Sequence, residues 1–190
     1  MRCFIAINLG DSLKEKIGSL ITELYLGNWD VKWIPAENLH ITLKFLGEIS
    51  AEPAEKINAI LSDVSGRYCP FEVGFHGVGV FPDRRRPRVI WIDLRYPKEL
   101  INMKKEVDHN LINLGFKSET TKFLPHLTIG RVRSFQGRDS LLSALEELRE
   151  RDFGKIEVNK IALMKSDLKP SGAQYSVMTE FPLTRRNDDE

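Results

Sequence analysis

HITLKFLG, residues His40 to Gly47, and HLTIGR, residues His126 to Arg131, are two versions of one phrase set 86 residues apart. Each alternates polar and apolar side chains, the signature of a strand with one face in a core. Residues i and i+2 of a strand share a face, so His40 and Thr42 point one way while Ile41, Leu43 and Phe45 point into the core. His126 and Thr128 stand likewise opposite Leu127 and Ile129.

Outward from these strands, the chain repeats at an offset of 85 to 86 residues. FIAINL, Phe4 to Leu9, matches VIWIDL, Val89 to Leu94, both short apolar strands rich in β-formers. A helix follows each. The first takes Ser12 as its N-cap, with Glu15 three residues on, and aligns Leu13, Ile17, Leu20 and Leu24. The second follows Pro97, aligns Leu100, Met103, Val107, Leu111 and Leu114, and reaches Gly115 where a C-terminal cap belongs. After the histidine strands come two more helices, one opened by Pro53 that buries Ile57, Ile60, Leu61 and Val64, the other burying Leu142, Leu145 and Leu148 after Asp139. FEVGF, from Phe71, then answers IEVNK, from Ile156.

The order strand, helix, strand, helix, strands in each half predicts an α+β fold of two pseudo-symmetric lobes. Each lobe is a mainly antiparallel sheet with two helices, and the pair encloses a central cleft. Residues 1–190 are read as one bilobal domain with repeats of approximately 1–85 and 86–183, the lobes facing each other and strands free to cross between sheets. Past them only the polar end Arg185 to Glu190 remains.

Composition narrows the class. With 42% hydrophobic and 29% charged residues the chain is far from the disordered regime. Its 28 Lys and Arg against 27 Asp and Glu leave a net charge of +1, so any nucleic-acid contact is local rather than bulk electrostatic coating. Cys3 and Cys69 have neither metal spacing nor a disulfide framework, which fits reduced thiols in a cytosol. The apolar run Cys3 to Ile7 is too short for a signal-peptide core, and no apolar segment approaches the ~18 residues of a membrane span. A soluble, cytoplasmic protein is expected.

A lone histidine on a strand is ordinarily structural, and a threonine there an ordinary β-former. Two His-x-Thr pairs at the repeat offset, in a chain with four histidines, go beyond chance. A pseudo-two-fold axis relating the lobes brings two imidazoles and two hydroxyls around one point, a phosphodiester-hydrolysis constellation. Near a pKa of ~6.5, one imidazole can accept a proton while the other donates one. The hydroxyls of Thr42 and Thr128 can donate to non-bridging phosphoryl oxygens, where charge accumulates. Arg131 directly follows the second motif and Lys44 falls on the polar parity of its strand, so each is a candidate phosphate contact. Zinc usually takes three or four protein ligands, and no Cys, Asp or Glu matches in both motifs, so no metal is expected.

These paired tetrads, His40 to Leu43 and His126 to Ile129, resemble the 2H phosphoesterase superfamily and within it the RNA 2′,3′-cyclic phosphodiesterase family, historically called 2′-5′ RNA ligase. The resemblance extends to Arg2, Phe4, Ile5 and Ala6, to ENLHITLKFLGE and, near the end, to KSDLKPSGAQY. It implies hydrolysis of an RNA-terminal 2′,3′-cyclic phosphate to a 2′-phosphomonoester, with reversible 2′-5′ ligation in vitro. It also implies His40 as proton donor and His126 as proton acceptor, roles that the spacing leaves open, and it singles out Tyr175 as a base-stacking candidate. The expected partner is RNA ending in that cyclic phosphate, tRNA fragments included, with no cofactor, no metal and no membrane, and the protein itself is expected to be a monomer.

Two rivals remain at this level: a phosphodiesterase for another small cyclic phosphate, and an RNA-end or nucleotide-binding module without turnover. Trp33, Phe81 and Trp91 are further aromatic candidates for cleft wall or core, while His76 and His109 read as structural or solvent-facing. The run Asp83 to Arg88 holds four arginines, either solvated surface or a contact for an RNA backbone.

Overall fold

The computed structural model describes residues 1–117, 122–170 and 172–184. Ser171 of the C-terminal segment and the polar end 185–190 lie outside the described residues. The elements run β1 (Arg2–Asn8), α1 (Asp11–Tyr25), β2 (Val31–Trp33), a 3-10 turn (Ala36–Asn38), β3 (His40–Glu48), α2 (Ala51–Ser65) and β4 (Phe71–Phe81). They continue with β5 (Val89–Arg95), α3 (Lys98–Ile112), β6 (His126–Val132), α4 (Arg138–Glu146), β7 (Asp152–Val158), β8 (Lys160–Lys169) and β9 (Gly172–Pro182).

The strands form one sheet in the order β7-β4-β5-β6-β3-β1-β8-β9, with β2 added along β6. The fold is α+β with antiparallel pairing, as the alternation predicts. The two histidine strands, however, are neighbours at the centre of a continuous curled sheet, rather than members of two sheets facing each other. Their seam is the antiparallel pair Ile41 opposite Leu127, both fully buried.

The strands do cross. β4, from the first repeat, pairs with β5 and β7, while β8, from the second, pairs with β1. The helices exchange as well: α1 packs by β7 and α4 by β4, whereas α2 and α3 pack on each other beneath β3, β8 and β9. Each repeat therefore completes the other's half of the sheet, and neither half closes without the other.

The helical stripes account for the layering. Leu13, Ile17, Leu20, Ile21 and Leu24 of α1 and Leu100, Met103, Val107 and Leu111 of α3 are buried, each such side chain contributing about 1.5–3 kcal/mol. Boundaries shift slightly from the sequence expectation. Gly10, rather than Ser12, is the N-cap of α1, and α2 starts at Ala51, which leaves Pro53 within its first turn. In α4 the buried pair is Leu141 and Leu145, because this i, i+4 face lies towards β4, and Leu142 and Leu148 are only half-buried.

One irregularity decides what reaches the concave face. Along β1 and β3, Ala6 lies opposite Thr42 but Ile5 lies opposite Lys44, so Leu43 is an extra residue. Along β5 and β6, Trp91 lies opposite Thr128 but Ile90 lies opposite Gly130, so Ile129 is the extra residue. The same β-bulge thus occurs in both copies, and a bulge reverses the side-chain phase downstream of it. Leu43 and Lys44 are both buried on the helical side, and Phe45, expected in the core, emerges 64% exposed. Lys44 is 3% exposed, its ammonium 3.0 Å from Asp108 of α3 and donating to the Lys117 carbonyl.

Candidate active site

Beside the 86-residue symmetry of the motifs stands a symmetry of their orientation. His40 Nδ1 lies 2.7 Å from the carbonyl oxygen of Asn38, and His126 Nδ1 lies 2.8 Å from that of Leu124. A carbonyl only accepts, so each Nδ1 carries the proton and donates it two residues back along the chain. Nε2 of each ring is then the atom left to exchange protons with a ligand. Both imidazoles line one cleft of 720 Å³ on the concave face, with Thr42, Thr128, Arg131 and Tyr175.

The neighbouring strands complete a layered pattern. Asn8 of β1 lies opposite His40 and Asp93 of β5 opposite His126; Ala6 lies opposite Thr42 and Trp91 opposite Thr128. One layer further, Phe4 lies opposite Phe45, and Val89 opposite Arg131. Arg131 owes its place to the bulge, which turns it onto the histidine face.

The two rings are packed differently. His40 meets Phe4 at 4.8 Å and the edge of Tyr175 at 5.2 Å. Burial among these groups lowers the pKa of His40, the hydrogen bond to Asn38 works in the opposite sense, and the positive charge of Lys14 adds to the lowering. His126 meets the edge of Phe81 at 5.2 Å, its one ring contact among the described residues, and Phe81 is itself stacked on Trp91 at 4.7 Å. Trp91 in turn lies over Gly79, where a Cβ would stand 2.4 Å from its ring.

Of the residues singled out in the sequence, His40, His126, Thr42, Thr128, Arg131 and Tyr175 come together, and Lys44 does not join them. It borders an adjoining recess of 300 Å³, and its ammonium is turned to Asp108. The bulge is the reason: it moves the polar parity from Lys44 to Phe45. In the second copy the position equivalent to Lys44 is Gly130, where a side chain would collide with Trp33 and Val31 of β2, 2.9 Å away. Trp33 accordingly packs over that glycine rather than lining the cleft. His109 is exposed on α3, and His76 borders a separate recess beside Arg95 and Asp152. Phe45 and Arg2 are cleft residues that the strand alternation missed; Gly130 at the Lys44 position was the available sign that the phase is broken.

Among the described residues no three His, Cys, Asp or Glu side chains converge into a metal-ligand set, and no helix is long and apolar enough to cross a membrane. The chemistry on offer is two imidazoles, two hydroxyls and two guanidinium groups, Arg2 and Arg131, lining one cleft.

Comparison with known proteins meets this geometry. Residues 7–91 and 92–175 each match the family model described as LigT-like phosphoesterase. The chain is 39% identical over 182 residues to a Methanocaldococcus jannaschii protein named RNA 2′,3′-cyclic phosphodiesterase, covering 95% of this chain and 100% of that one. A Methanothermobacter thermautotrophicus protein of the same name is 33% identical over 183 residues, covering 96% and 99%. Among solved structures, TT0787 of Thermus thermophilus superposes with a TM-score of 0.84 at 25% identity, covering 98% of this chain and all of that one. LigT of E. coli complexed with 3′-AMP superposes with a TM-score of 0.77 at 25% identity, covering 97% and 98%.

Proposed function

The chain belongs to the LigT-like phosphoesterase family, and from that membership and the cleft we propose that it is an RNA 2′,3′-cyclic phosphodiesterase whose products end in a 2′-phosphomonoester. The observation that carries the reading is the matched pair of imidazoles, each with Nδ1 held on a backbone carbonyl and Nε2 left for the cleft.

In the proposed step a water oxygen bonds to phosphorus as its proton passes to Nε2 of neutral His126. The bond from phosphorus to O3′ breaks as Nε2–H of protonated His40 gives O3′ a proton. Thr42, Thr128 and Arg131 donate to the non-bridging oxygens, where negative charge gathers in the transition state. The packed environment of His40 suits the donor, since a lowered pKa makes its imidazolium the stronger acid, and the entering anion supplies the counter-charge. A 5′-hydroxyl in place of water would give a 2′-5′ linkage by the same transfers. Phe45, exposed beside the cleft, and Tyr175 offer flat faces for a terminal base.

The test is incubation with a nucleoside 2′,3′-cyclic phosphate and with a short RNA bearing that end, chelator present, followed by identification of the product isomer. The expected product is the 2′-phosphate, and His40→Ala or His126→Ala is expected to lower turnover by about 10²–10⁴-fold with the fold intact. Losses below tenfold in both variants, or a 3′-phosphate product, would overturn the proposal.

A further inference from the structure

The loop 82–88 joins β4 to β5, and both its stems, Phe81 and Val89, line the cleft. It carries Arg84, Arg85, Arg86 and Arg88 against one carboxylate, Asp83. Among the described residues only Arg84 of these four is ion-paired, at 2.5 Å from Glu146. Counting Asp83 and Glu146, the loop still holds an excess of two positive charges in a chain whose total is +1, so the remainder is net negative. Positive charge has been concentrated here and not spread.

The loop is also held in shape. Asp83 accepts hydrogen bonds from the backbone N–H groups of Arg85 and Arg86 at 2.7 and 3.0 Å, and Arg138 donates to the Arg85 carbonyl at 3.3 Å. Arg88 donates from its backbone to Phe81 at 2.7 Å, closing the stem, and its guanidinium lies 5.2 Å from the centre of the Phe135 ring. These contacts fix the backbone while leaving Arg85 and Arg86 exposed at the tip. Arg86 stands three residues from Val89, so the two Cα atoms are within about 11 Å of each other.

We infer that Arg85, Arg86 and Arg88 form a phosphate track for the RNA strand that leads into the cleft, so that the enzyme acts on RNA ends in preference to isolated nucleotides. The inference rests on the RNA-end reading of the cleft. A single anionic group in the cleft leaves this loop unused; a polyanion continuing from the cleft past Val89 meets it. Guanidinium groups suit that occupant, because they bind phosphate oxygens bidentately without reading base identity.

The experiment compares kcat/KM for a nucleoside 2′,3′-cyclic phosphate with that for an RNA octamer ending in the same nucleotide, in the wild type and in an R85A/R86A variant. The octamer is expected to be favoured about tenfold at low salt, and three phosphate contacts give its kcat/KM an added log–log salt slope of about −2. Between 50 and 200 mM salt that slope is a loss of roughly 20-fold beyond the mononucleotide's. R85A/R86A should remove most of the octamer's advantage, bring the slope to about −0.7 and leave the mononucleotide unchanged. Equal rates for both substrates in the wild type, or an advantage that survives R85A/R86A, would overturn the track. Turnover of neither substrate would instead defeat the reading of the cleft. The track is then judged by fluorescence anisotropy of a labelled octamer, where salt-dependent binding lost in R85A/R86A supports it and its absence refutes it.

Discussion

Lys44 and Arg131 are one position apart in the repeat yet sit on opposite faces of the sheet, and a pair of substitutions separates their contributions. In Lys44→Met, Asp108 of α3 loses the ammonium held 3.0 Å away, while Lys104, also bonded to Asp108, remains. Removing one partner of a fully buried ion pair costs about 3–5 kcal/mol. Because Asp108 is 20% exposed and keeps Lys104, the expected cost is about 1–3 kcal/mol, a fall in Tm of roughly 3–10 °C for a chain of this size. Arg131→Met removes an exposed side chain, so Tm should stay nearly unchanged. On the proposed mechanism it also removes a charge-assisted hydrogen bond to the phosphoryl group, worth about 1.5–3 kcal/mol, or about 10- to 150-fold in kcat/KM. Thermal melts and steady-state kinetics on a nucleoside 2′,3′-cyclic phosphate, well below both melting points, read the two effects separately. A Lys44→Met protein with wild-type Tm and a loss above tenfold in kcat/KM would place that ammonium in the cleft and refute the bulge argument. An Arg131→Met protein with unimpaired kinetics would refute the phosphate contact.

Three other outcomes are expected. A cyclic or diester substrate releasing a nitrophenolate needs no proton donor, so the defect of His40→Ala should shrink below about tenfold on it, while that of His126→Ala stays near 10²–10⁴-fold. With His40 as the proposed proton donor and its pKa lowered, kcat/KM should decline with rising pH from below the ordinary imidazole value of about 6.5, and His40→Ala should lack that limb. A limb wholly above that value would contradict the donor role. Gly79→Ala places a methyl 2.4 Å from the Trp91 ring, an overpacking of about 1–3 kcal/mol. Through the Trp91–Phe81–His126 contacts it should lower kcat as well as Tm, and a double-mutant cycle should show that kcat loss vanishing in a His126→Ala background.

The repeat, the strands and the helical stripes are legible in the sequence because they follow from period and burial: Leu100, Met103, Val107 and Leu111 are fully buried where the spacing puts them. The cleft-facing set His40, Thr42, His126 and Thr128 is legible for the same reason, since residues two apart along a strand share a face until a bulge intervenes. Phase is not legible past a bulge. Leu43 and Ile129 each add one residue that the alternation cannot announce, and everything downstream, Lys44, Phe45 and Arg131, changes side. The partnership of β3 with β6 was also hidden, because strand order depends on which repeat donates which strand.

Two copies of one motif give two equivalent imidazoles, and equivalence alone cannot divide a reaction into acid and base. The division has to come from what surrounds each ring. Around His40 the layers are Asn8, Ala6 and Phe4, with Tyr175 closing over the ring; around His126 they are Asp93, Trp91 and Val89, with Phe81 at one edge. The first set removes water and lowers the affinity of His40 for its proton; the second includes a carboxylate opposite His126. Downstream of the shared bulge, one copy presents the flat apolar face of Phe45 and the other the charge of Arg131. On the proposed reading, a substrate with a base at one end and a phosphate at the other therefore has one favoured orientation in a nearly symmetric cleft. That orientation decides which histidine faces the leaving oxygen. Exchanging Phe45 and Arg131 tests this step: the F45R/R131F protein keeps both histidines and both threonines, yet should lose kcat/KM by at least the cost of the single Arg131 substitution. Retention of wild-type kcat/KM would show that the orientation is set elsewhere.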